Sequence, residues 1–467
     1  MMNINDLKGK KVTVMGLGIH GGGVATARFL ASLGARLVVT DLKSKTELVE
    51  SVKKLADLKN ITFVFNQHRP EDFSQTDLVV KNPAVPWNNK YIKLALDNKI
   101  PVEMDSSLFF RLCKNKIIGV TGTKGKTTTS SLIHAILKTA QKDVIKVGIS
   151  QVSVLDKLKE LKKDTIVVFE ISSWRLSALG RAKLSPEISV ITNLYPDHLN
   201  YYGSMEKYIA DKENIFLHQK KTDFCVINVD SELLEQSRKK IPAQVVEFSR
   251  QDISSEYGAS IREGGVYLKN KAGEKKILEL SEITLRGAHN QENILAAIAV
   301  AGIFGVEPKI IKKAIVEFAG NPHRLELVRK LSGVAYYNDS AATTPESAIS
   351  GIKSFTEPLV LICGGANKSL DVSGLAKEIA NNKNIKNLVF LAGESTDRMI
   401  ESLQKESGVQ KAEFLIANSM AEAIRLAREQ AISGDVVLLS PGAASFGIFI
   451  NEFDRGNQFR EIVRGLK

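Results

Sequence analysis

Residues 116–128 read KIIGVTGTKGKTT, and this stretch decides the fold of the chain around it. Its first half is a short apolar, β-branched run, and its second half is rich in glycine, threonine and lysine. A segment with helical spacing, SSLIHAILKTA, follows at residues 130–140. A buried strand, a glycine-rich loop and a helix in this order predict a parallel α/β sheet with a phosphate-binding loop at the end of a strand.

The loop has the side chains that a bound nucleoside triphosphate requires. Its glycines let backbone N–H groups approach phosphate oxygens, Lys126 would neutralise the β- and γ-phosphates, and Thr127 would bind magnesium. The spacing departs from the standard motif, because Val120 and not glycine lies five residues before Gly125. We expect ATP to contact Gly122, Thr123, Lys124, Gly125, Lys126, Thr127 and Thr128.

Apolar runs alternate with helical segments on both sides of this loop, which is typical of parallel sheets built from βαβ units. The runs fall into three series, and 467 residues correspond to three domains at about 150 residues each. We therefore predict an α/β protein with domains at 1–112, 113–320 and 321–467. Between residues 243 and 285 short alternating segments predict a small antiparallel annex to the middle domain.

Composition excludes several classes of protein. With 43% hydrophobic and 25% charged residues, the chain is globular and neither disordered nor a disulfide scaffold. No uncharged apolar run approaches the ~20 residues that span a bilayer, and the N-terminus lacks an apolar signal core. Three scattered cysteines fit a reducing compartment and form no zinc framework. We expect a soluble, cytoplasmic protein with buried or inert cysteines.

The formal net charge of +12 favours anionic partners. Nucleic acid is one such partner, and phosphorylated small molecules are another. The charge does not choose between them, but lysine and arginine are spread along the chain without a basic tail or an aromatic-basic recognition motif. This distribution favours small molecules, and a nucleic-acid binder remains an alternative that a steep salt dependence of DNA binding would support.

A second glycine-rich turn, Gly16-x-Gly18-x-x-Gly21, follows the first predicted strand. Asp41 ends the next strand, 20 residues after Gly21, as in a dinucleotide-binding fingerprint. Such a turn also serves tight packing of a strand against a helix, and it can hold any diphosphate at a helix N-terminus. The pattern therefore indicates a diphosphate site without specifying NAD.

Three further polar residues follow strands of the middle domain. Glu170 ends TIVVFE, His198 follows ISVITNLYPD, and Lys212 lies on a predicted helix just after. Singly, each would more often be a solvated or structural residue. Because the carboxyl ends of parallel strands meet at one edge of a sheet, together they predict catalytic groups and metal ligands beside the loop.

These residues belong to a set of motifs that resembles, in order and across essentially the whole chain, the Mur ligase family: GVTGTKGKTTT, FEISSW, NLYPDHLNYYGSMEKYIADKENIF, GAHNQENILAA, NPHRLE and YNDSAATTPES. The N-terminal GLGIHG and the C-terminal LLSPGAASFGIFINEFDRGNQF look most like the glutamate-adding branch. The resemblance implies an N-terminal Rossmann-like domain, a central P-loop ATPase-type domain and a C-terminal Rossmann-like domain.

The activity that the resemblance implies is ATP-dependent amide-bond formation through an acyl phosphate, in cytoplasmic peptidoglycan precursor synthesis. The substrates would be UDP-N-acetylmuramoyl-L-alanine and D-glutamate, with Mg²⁺ as cofactor, and the protein would be a monomer that binds no nucleic acid. A site with positive groups and magnesium suits this chemistry, because the substrate carboxylate and the γ-phosphate repel each other.

The resemblance also implies roles for individual residues. Thr127 would bind one magnesium ion, and Glu170 and His198 a second. Lys212 would be carbamylated by carbon dioxide into an anionic metal ligand, which requires a neutral amine and hence a lowered pKa. The other implied contacts are Asn290, Asn293, Arg324 and Asp339 for ATP, Gly16, Gly18, Ile19, His20, Asp41, Leu42 and Lys43 for the uridine diphosphate, and Thr343, Lys368 and Ser445 for glutamate.

The sequence departs from the family pattern at three places. Ala341 replaces a lysine that many glutamate-adding members carry, the turn at 148–151 reads GISQ and lacks its asparagine, and Asn451-Glu452-Phe453 stands where the order Asn-Phe-Glu is usual. These differences concern the amino-acid contacts and leave L-glutamate or another amino acid as alternative substrates.

Other functions fit the residues less well. A folylpolyglutamate synthase lacks an N-terminal UDP domain, and an amidotransferase subunit of this superfamily usually carries a four-cysteine zinc insert. A non-catalytic nucleotide-binding scaffold needs the loop but not Lys126, Glu170, His198 and Lys212 together. The ligase is therefore the leading hypothesis.

Overall fold

The computed structural model describes residues 4–19, 21–148, 153–271, 273–367, 370–407 and 414–467. Strands and helices alternate along the chain, and the strands form three separate sheets. The predicted α/β class with three sheets is therefore confirmed.

The first sheet has five parallel strands in the order β3-β2-β1-β4-β5. Chain order reverses between β1 and β4, so the turns after these two strands form the crevice where ligands bind in open α/β sheets. The elements are β1 (Lys11–Met15), α1 (Gly22–Ser32), β2 (Arg36–Thr40), α2 (Val49–Lys53), β3 (Ile61–Val64), α3 (Glu71–Ser74), β4 (Leu78–Lys81), α4 (Lys90–Asp97), β5 (Val102–Glu103) and α5 (Asp105–Leu112).

The second sheet has nine strands in the order β14-β13-β12-β11-β10-β9-β6-β8-β7. The strands from β7 to β12 pair in parallel, and β12, β13 and β14 pair antiparallel, as predicted for the annex. Its strands are β6 (Ile117–Thr121), β7 (Val144–Val147), β8 (Ile166–Glu170), β9 (Ile188–Ile191), β10 (Phe224–Asn228), β11 (Gln244–Ser249), β12 (Gly258–Arg262), β13 (Gly265–Asn270) and β14 (Gly273–Glu279).

Helices accompany this sheet along the chain, and β6 is buried along its whole length, as both faces of a central parallel strand are. They are α6 (Lys126–Thr139), α7 (Ser173–Ala182), α8 (Leu199–Tyr202), α9 (Met205–Glu213), α10 (Glu232–Arg238), α11 (Ala288–Ile303) and α12 (Pro308–Val316), with 3-10 turns at Leu155–Glu160 and Leu280–Glu282.

The third sheet has six strands in the order β15-β16-β20-β17-β18-β19, all parallel except the β15–β16 hairpin. Alternate residues of β17 enter different cores, with Leu361 packing on one face and Ile362 on the other. The elements are β15 (Glu326–Leu331), β16 (Val334–Asn338), α13 (Pro345–Ile352), β17 (Leu359–Gly364), α14 (Ser373–Asn381), β18 (Ile385–Leu391), α15 (Glu394–Ser407), β19 (Leu415–Ala417), α16 (Met420–Gln430), β20 (Val436–Leu439) and α17 (Glu452–Gly465).

Contacts divide the chain into two compact units. One holds the first two sheets, in residues up to 280 together with 292–315, and the other holds residues 281–291 and 316–467. The domain limits 1–112, 113–320 and 321–467 stay a prediction.

Among the described helices, none has both the length and the apolar composition that crossing a bilayer requires. The three cysteines, Cys113, Cys225 and Cys363, are buried and form no disulfide. Burial raises the pKa of each thiol, and the pKa of Cys113 reaches about 11. These thiols are therefore protonated at neutral pH, in agreement with the expectation that they are inert.

Candidate functional site

The loop between β6 and α6 has a backbone that only glycine accepts easily. Gly122 and Gly125 have φ of 146° and 84°, where L side chains are strained. A Cβ on Gly122 would also lie 1.9 Å from Thr192 Oγ1, and one on Gly125 would lie 2.3 Å from Asn293 Oδ1. Both glycines are therefore required sterically, and the loop leads into the N-terminus of the 14-residue helix α6, where an anion is favoured.

Two lysines converge on one carbonyl oxygen of this loop. Lys126 Nζ donates to Gly122 O at 3.0 Å and to Thr123 O at 2.9 Å, and Lys212 Nζ, from α9, donates to Gly122 O at 2.8 Å. Lys212 is 2% exposed, and burial, followed by the charge of Lys126, places its pKa well below the usual value for lysine. A neutral amine is the form that reacts with carbon dioxide.

Thr127 and Glu170 meet at the adjacent end of β8. Thr127 Oγ1 donates to Glu170 Oε1 at 3.1 Å, and Glu170 pairs with Val120 across the sheet. Glu170 Oε2 is buried and has no hydrogen-bond partner. A buried carboxylate oxygen without a donor, next to a hydroxyl, suits a hard cation such as Mg²⁺. Within the described residues, no three His, Cys, Asp or Glu side chains cluster as metal ligands, so a cation here would also need other oxygen ligands.

His198 lies between β9 and α8 in the left-handed region, with φ of 53°. Its ring packs 5.2 Å from that of Trp174, whose indole N–H is buried without a partner. Partial burial and the positive charges of Lys126 and Lys212 lower the pKa of His198, although Asp197 opposes the shift. The imidazole is thus neutral at neutral pH, as a metal ligand must be.

The structure adds residues at the end of β9 that sequence reasoning missed. Thr123 N and Lys124 N donate to Asn193 O and Oδ1 at 3.0 and 2.9 Å, and Thr192 Oγ1 donates to Lys124 O at 2.6 Å. These bonds hold the loop against the neighbouring strand. The sequence could have indicated these two residues, because Thr192 and Asn193 directly follow β9, a strand that ends at the same edge of the sheet as β6.

The two asparagines of α11 have different surroundings. Asn293 is buried, and its Oδ1 accepts a hydrogen bond from Thr129 Oγ1 at 3.0 Å, beside the phosphate loop. Asn290 belongs to the other compact unit, where its Nδ2 donates to Arg286 O at 2.7 Å. Of these two asparagines, Asn293 is therefore the one that lies beside the phosphate loop in the same compact unit.

Asp339 is a buried carboxyl group at the end of β16. Its oxygens accept hydrogen bonds from Ser440 Oγ at 2.9 Å and Leu325 N at 3.2 Å. Burial raises its pKa to about 7, although both bonds and the charges of Arg324 and Arg455 oppose the shift. Arg324 is exposed, and in the described part of the chain no ion pair joins it to Asp339.

Two of the three residues predicted to contact glutamate are described. Thr343 is half-buried, and Ser445 is 4% exposed. Ala444, next to Ser445, pairs with Ala366 through two backbone hydrogen bonds of 3.0 and 3.2 Å. Lys368 lies outside the described residues.

The N-terminal turn differs from the dinucleotide fingerprint in the role of its acid. Asp41 Oδ2 accepts a hydrogen bond from Gly18 N, and Oδ1 accepts one from Lys43 N, both at 2.9 Å. This carboxylate joins the turn after β1 to the turn after β2, whereas the acid of a dinucleotide fingerprint accepts a hydrogen bond from a ribose hydroxyl. Ile19 and Leu42 expose 57% and 65% of their surface beside it. His20 lies outside the described residues.

The structure shows the surroundings of the residues at which the sequence departs from the family pattern. Asn451 caps α17, because its side chain accepts from Phe453 N and Asp454 N. Phe453 is 52% exposed, with its ring 5.9 Å from that of His323. Ala341 N donates to His323 O at 3.0 Å. In the turn at 148–151 only Gly148 is described.

Family models match three consecutive parts of the chain: the Mur ligase MurD-like N-terminal domain at residues 10–103, the Mur ligase middle domain at 120–301, and the Mur ligase glutamate ligase domain at 323–442. A UDP-N-acetylmuramoylalanine–D-glutamate ligase from Roseiflexus sp. is 43% identical over 98% of this chain and 99% of its own length. One of the same name from Clostridioides difficile is 36% identical over 99% of this chain and 100% of its own.

Solved structures share the fold at low identity. The UDP-N-acetylmuramate–alanine ligase MurC of Thermotoga maritima is 22% identical, covers 98% of this chain and 100% of its own, and has a TM-score of 0.59. The MurF ligase of the same organism, in complex with ADP, is 16% identical, with 99% of both chains covered and a TM-score of 0.59. With whole-chain relatives at these identities and all three domain models matched in order, this chain belongs to the Mur ligase family.

Proposed function

We propose that this protein is an ATP-dependent ligase that joins D-glutamate to UDP-N-acetylmuramoyl-L-alanine in peptidoglycan precursor synthesis. The relatives with this name support the choice of substrates, since they match the chain over almost its full length. The observation that carries the mechanism is the meeting of Lys126, Lys212, Thr127 and Glu170 at one loop.

The reaction proceeds in two steps. An oxygen of the substrate carboxylate attacks the γ-phosphorus of ATP, the bond to the bridging oxygen breaks, and ADP leaves. The amino group of glutamate then attacks the acyl carbon of the resulting acyl phosphate, loses a proton, and expels phosphate to leave the amide. Activation is needed because a free carboxylate is too poor an electrophile for direct attack by an amine.

Residues of the loop bind ATP and offset its charge. Backbone N–H groups of residues 122–128 and the N-terminus of α6 would bind the phosphates. Lys126 Nζ now donates to the carbonyl oxygens of Gly122 and Thr123, and it would donate to phosphate oxygens when ATP binds. Its positive charge lowers the repulsion between the two reacting anions.

Thr127, Glu170, His198 and the carbamate of Lys212 would hold magnesium. When bound, Mg²⁺ would neutralise phosphate charge and orient the γ-phosphate. The orphaned Glu170 Oε2 and the neutral imidazole of His198 fit this role. The lowered pKa of the buried Lys212 amine fits carbamylation, because it favours the neutral form, and the charged ammonium could neither react with carbon dioxide nor bind a metal.

The remaining residues would position the substrates. In the N-terminal crevice, the glycine turn would bind the diphosphate at the start of α1, and the exposed Ile19 and Leu42 would contact the uridine, together with His20, Asp41 and Lys43. Asn290, Asn293, Arg324 and Asp339 would contact ATP. Thr343, Lys368 and Ser445 would bind glutamate.

We further propose that the enzyme acts as a monomer in the cytoplasm. The buried, unpaired thiols of Cys113, Cys225 and Cys363 fit a reducing compartment. Domain limits at 112/113 and 320/321 would give each substrate its own domain.

The test is magnesium-dependent ADP release from ATP and UDP-N-acetylmuramoyl-L-alanine, with D-glutamate, L-glutamate and other amino acids in parallel. Release with D-glutamate alone is the expected result. Release with L-glutamate or another amino acid would keep the mechanism but reassign the pocket around Thr343 and Ser445. No release with any amino acid would contradict the proposal and favour a nucleotide-binding scaffold.

A further inference from the structure

Arg455, on the first turns of α17, is the largest fully buried side chain of the described residues, with 0% exposure. Its guanidinium donates four hydrogen bonds. Nε reaches Ser340 Oγ at 3.0 Å, Nη2 reaches Ser340 O at 2.9 Å, and Nη1 reaches Ala443 O and Ala444 O at 3.2 and 3.3 Å. All four acceptors are neutral.

The positive charge of Arg455 is therefore not cancelled by a direct contact. Throughout the described residues, no carboxylate oxygen lies within 4.0 Å of its guanidinium. Asp339 and Glu452 are close enough to favour the charged form, but burial outweighs them and lowers the pKa of Arg455 to about 10. The guanidinium is still charged at neutral pH, and in a region of low dielectric its field extends to neighbouring groups.

Arg455 also ties together the two segments that hold the proposed glutamate contacts. Ser340 lies three residues before Thr343, and Ala444 directly precedes Ser445. Ser340 Oγ donates in turn to Glu452 O at 2.7 Å, so the same hydrogen-bond network also includes the first residue of α17. A planar group with five donors holds such an arrangement rigidly, which a lysine ammonium does not.

We infer that Arg455 is a positioning and specificity-determining residue for the amino-acid substrate, an inference that rests on the proposed function. Its hydrogen bonds fix the separation of the segments carrying Thr343 and Ser445. Its unpaired charge favours an amino acid with an additional carboxylate over a neutral analogue of the same shape. Glutamate carries this carboxylate, and glutamine does not.

The test compares Arg455→Met and Arg455→Lys with the wild-type enzyme in the ADP-release assay. Arg455→Met is expected to raise the KM for D-glutamate at least about tenfold, with the KM for ATP and for the UDP substrate unchanged. It should also weaken the preference for D-glutamate over D-glutamine. Arg455→Lys keeps the charge, so it should retain that preference while the KM for D-glutamate still rises.

Arg460 supplies a matched control, because it lies on the same helix but pairs with Glu326 at 3.0 Å. Arg460→Met should leave the KM for D-glutamate unchanged. If Arg455→Met does not fold, Ser340→Ala, which removes one acceptor of Arg455, should raise that KM by a smaller factor.

The inference is wrong if folded Arg455→Met or Ser340→Ala keeps the wild-type KM and preference, or if all three KM values rise together. Wild-type enzyme that turns over no amino acid would contradict the proposed function itself, and this inference with it. Wild-type turnover of D-glutamate with an unaltered variant contradicts only the role of Arg455.

Discussion

The two glycine-rich turns of this protein have nearly the same backbone and different surroundings. Gly21 caps α1 with φ 91° and ψ −13°, and Gly125 caps α6 with φ 84° and ψ −16°. Each turn follows a parallel strand and opens a helix, so each offers backbone N–H groups and a helix N-terminus to an anion. The backbone alone would give both turns the same function.

The side chains make the difference. Around the N-terminal turn, the Asp41 carboxylate is satisfied by two backbone N–H groups, and a Cβ on Gly21 would have no neighbour within 4 Å. Around the central loop, Lys126 and Lys212 share one carbonyl, and Glu170 has a buried oxygen without a donor. A turn whose carboxylate already accepts hydrogen bonds suits ligand binding. Two neighbouring lysines beside a buried carboxylate oxygen without a donor suit catalysis.

The largest effect should follow from removing the loop cation. Lys126→Ala should lower ADP release by more than about a thousandfold, because the repulsion between the reacting anions is then unopposed. Lys138→Ala, at the exposed end of the same helix, should retain activity. Appreciable turnover by Lys126→Ala would refute the assigned role.

The second effect concerns the buried amine. Lys212→Ala should be largely inactive, since no carbamate can form, and acetate or another small carboxylate should restore part of the rate by occupying the vacated space. Lys207→Ala, on the exposed side of α9, is the control. Full activity of Lys212→Ala without added carboxylate would end the carbamate hypothesis.

The two capping glycines test the comparison directly. Gly21→Ala should cost only the strain of a positive φ, about 1–2 kcal/mol of unfolding free energy. Gly125→Ala should cost more and also raise the KM for ATP, because its Cβ would lie 2.3 Å from Asn293 Oδ1. Thermal unfolding and steady-state kinetics measure both effects. Equal losses in the two variants would show that the surroundings of the loop do not matter.

The smallest effect is expected at Asp41. Asp41→Asn keeps one acceptor of two, so the KM for the UDP substrate should rise by a factor of about 3 to 10, while the KM for ATP stays constant. Asp57→Asn, on the exposed surface of the same domain, should change neither constant. A change in the KM for ATP would mean that the crevice and the phosphate loop are coupled.

The sequence predicted the features that follow from local pattern. The runs containing β1, β6, β8 and β9 were recognisable as strands because buried parallel strands are continuously apolar. Short strands such as β5 and β19, of two and three residues, left no pattern to detect. The proximity of Thr127 and Glu170 could be predicted, because Thr127 follows β6, Glu170 ends β8, and parallel strands end at one edge of a sheet.

What the sequence by itself determined was the α/β fold, the phosphate loop and the chemical type of its residues. Only the tertiary structure decided the pKa, the hydrogen-bond partners and the charge pairing of these side chains. The lowered pKa of Lys212, the orphaned oxygen of Glu170 and the unpaired charge of Arg455 depend on burial and on distances between residues far apart in the chain. Local sequence carries the identity of a side chain, but the free energy of its charge is set by the solvent and the partners that folding removes or supplies.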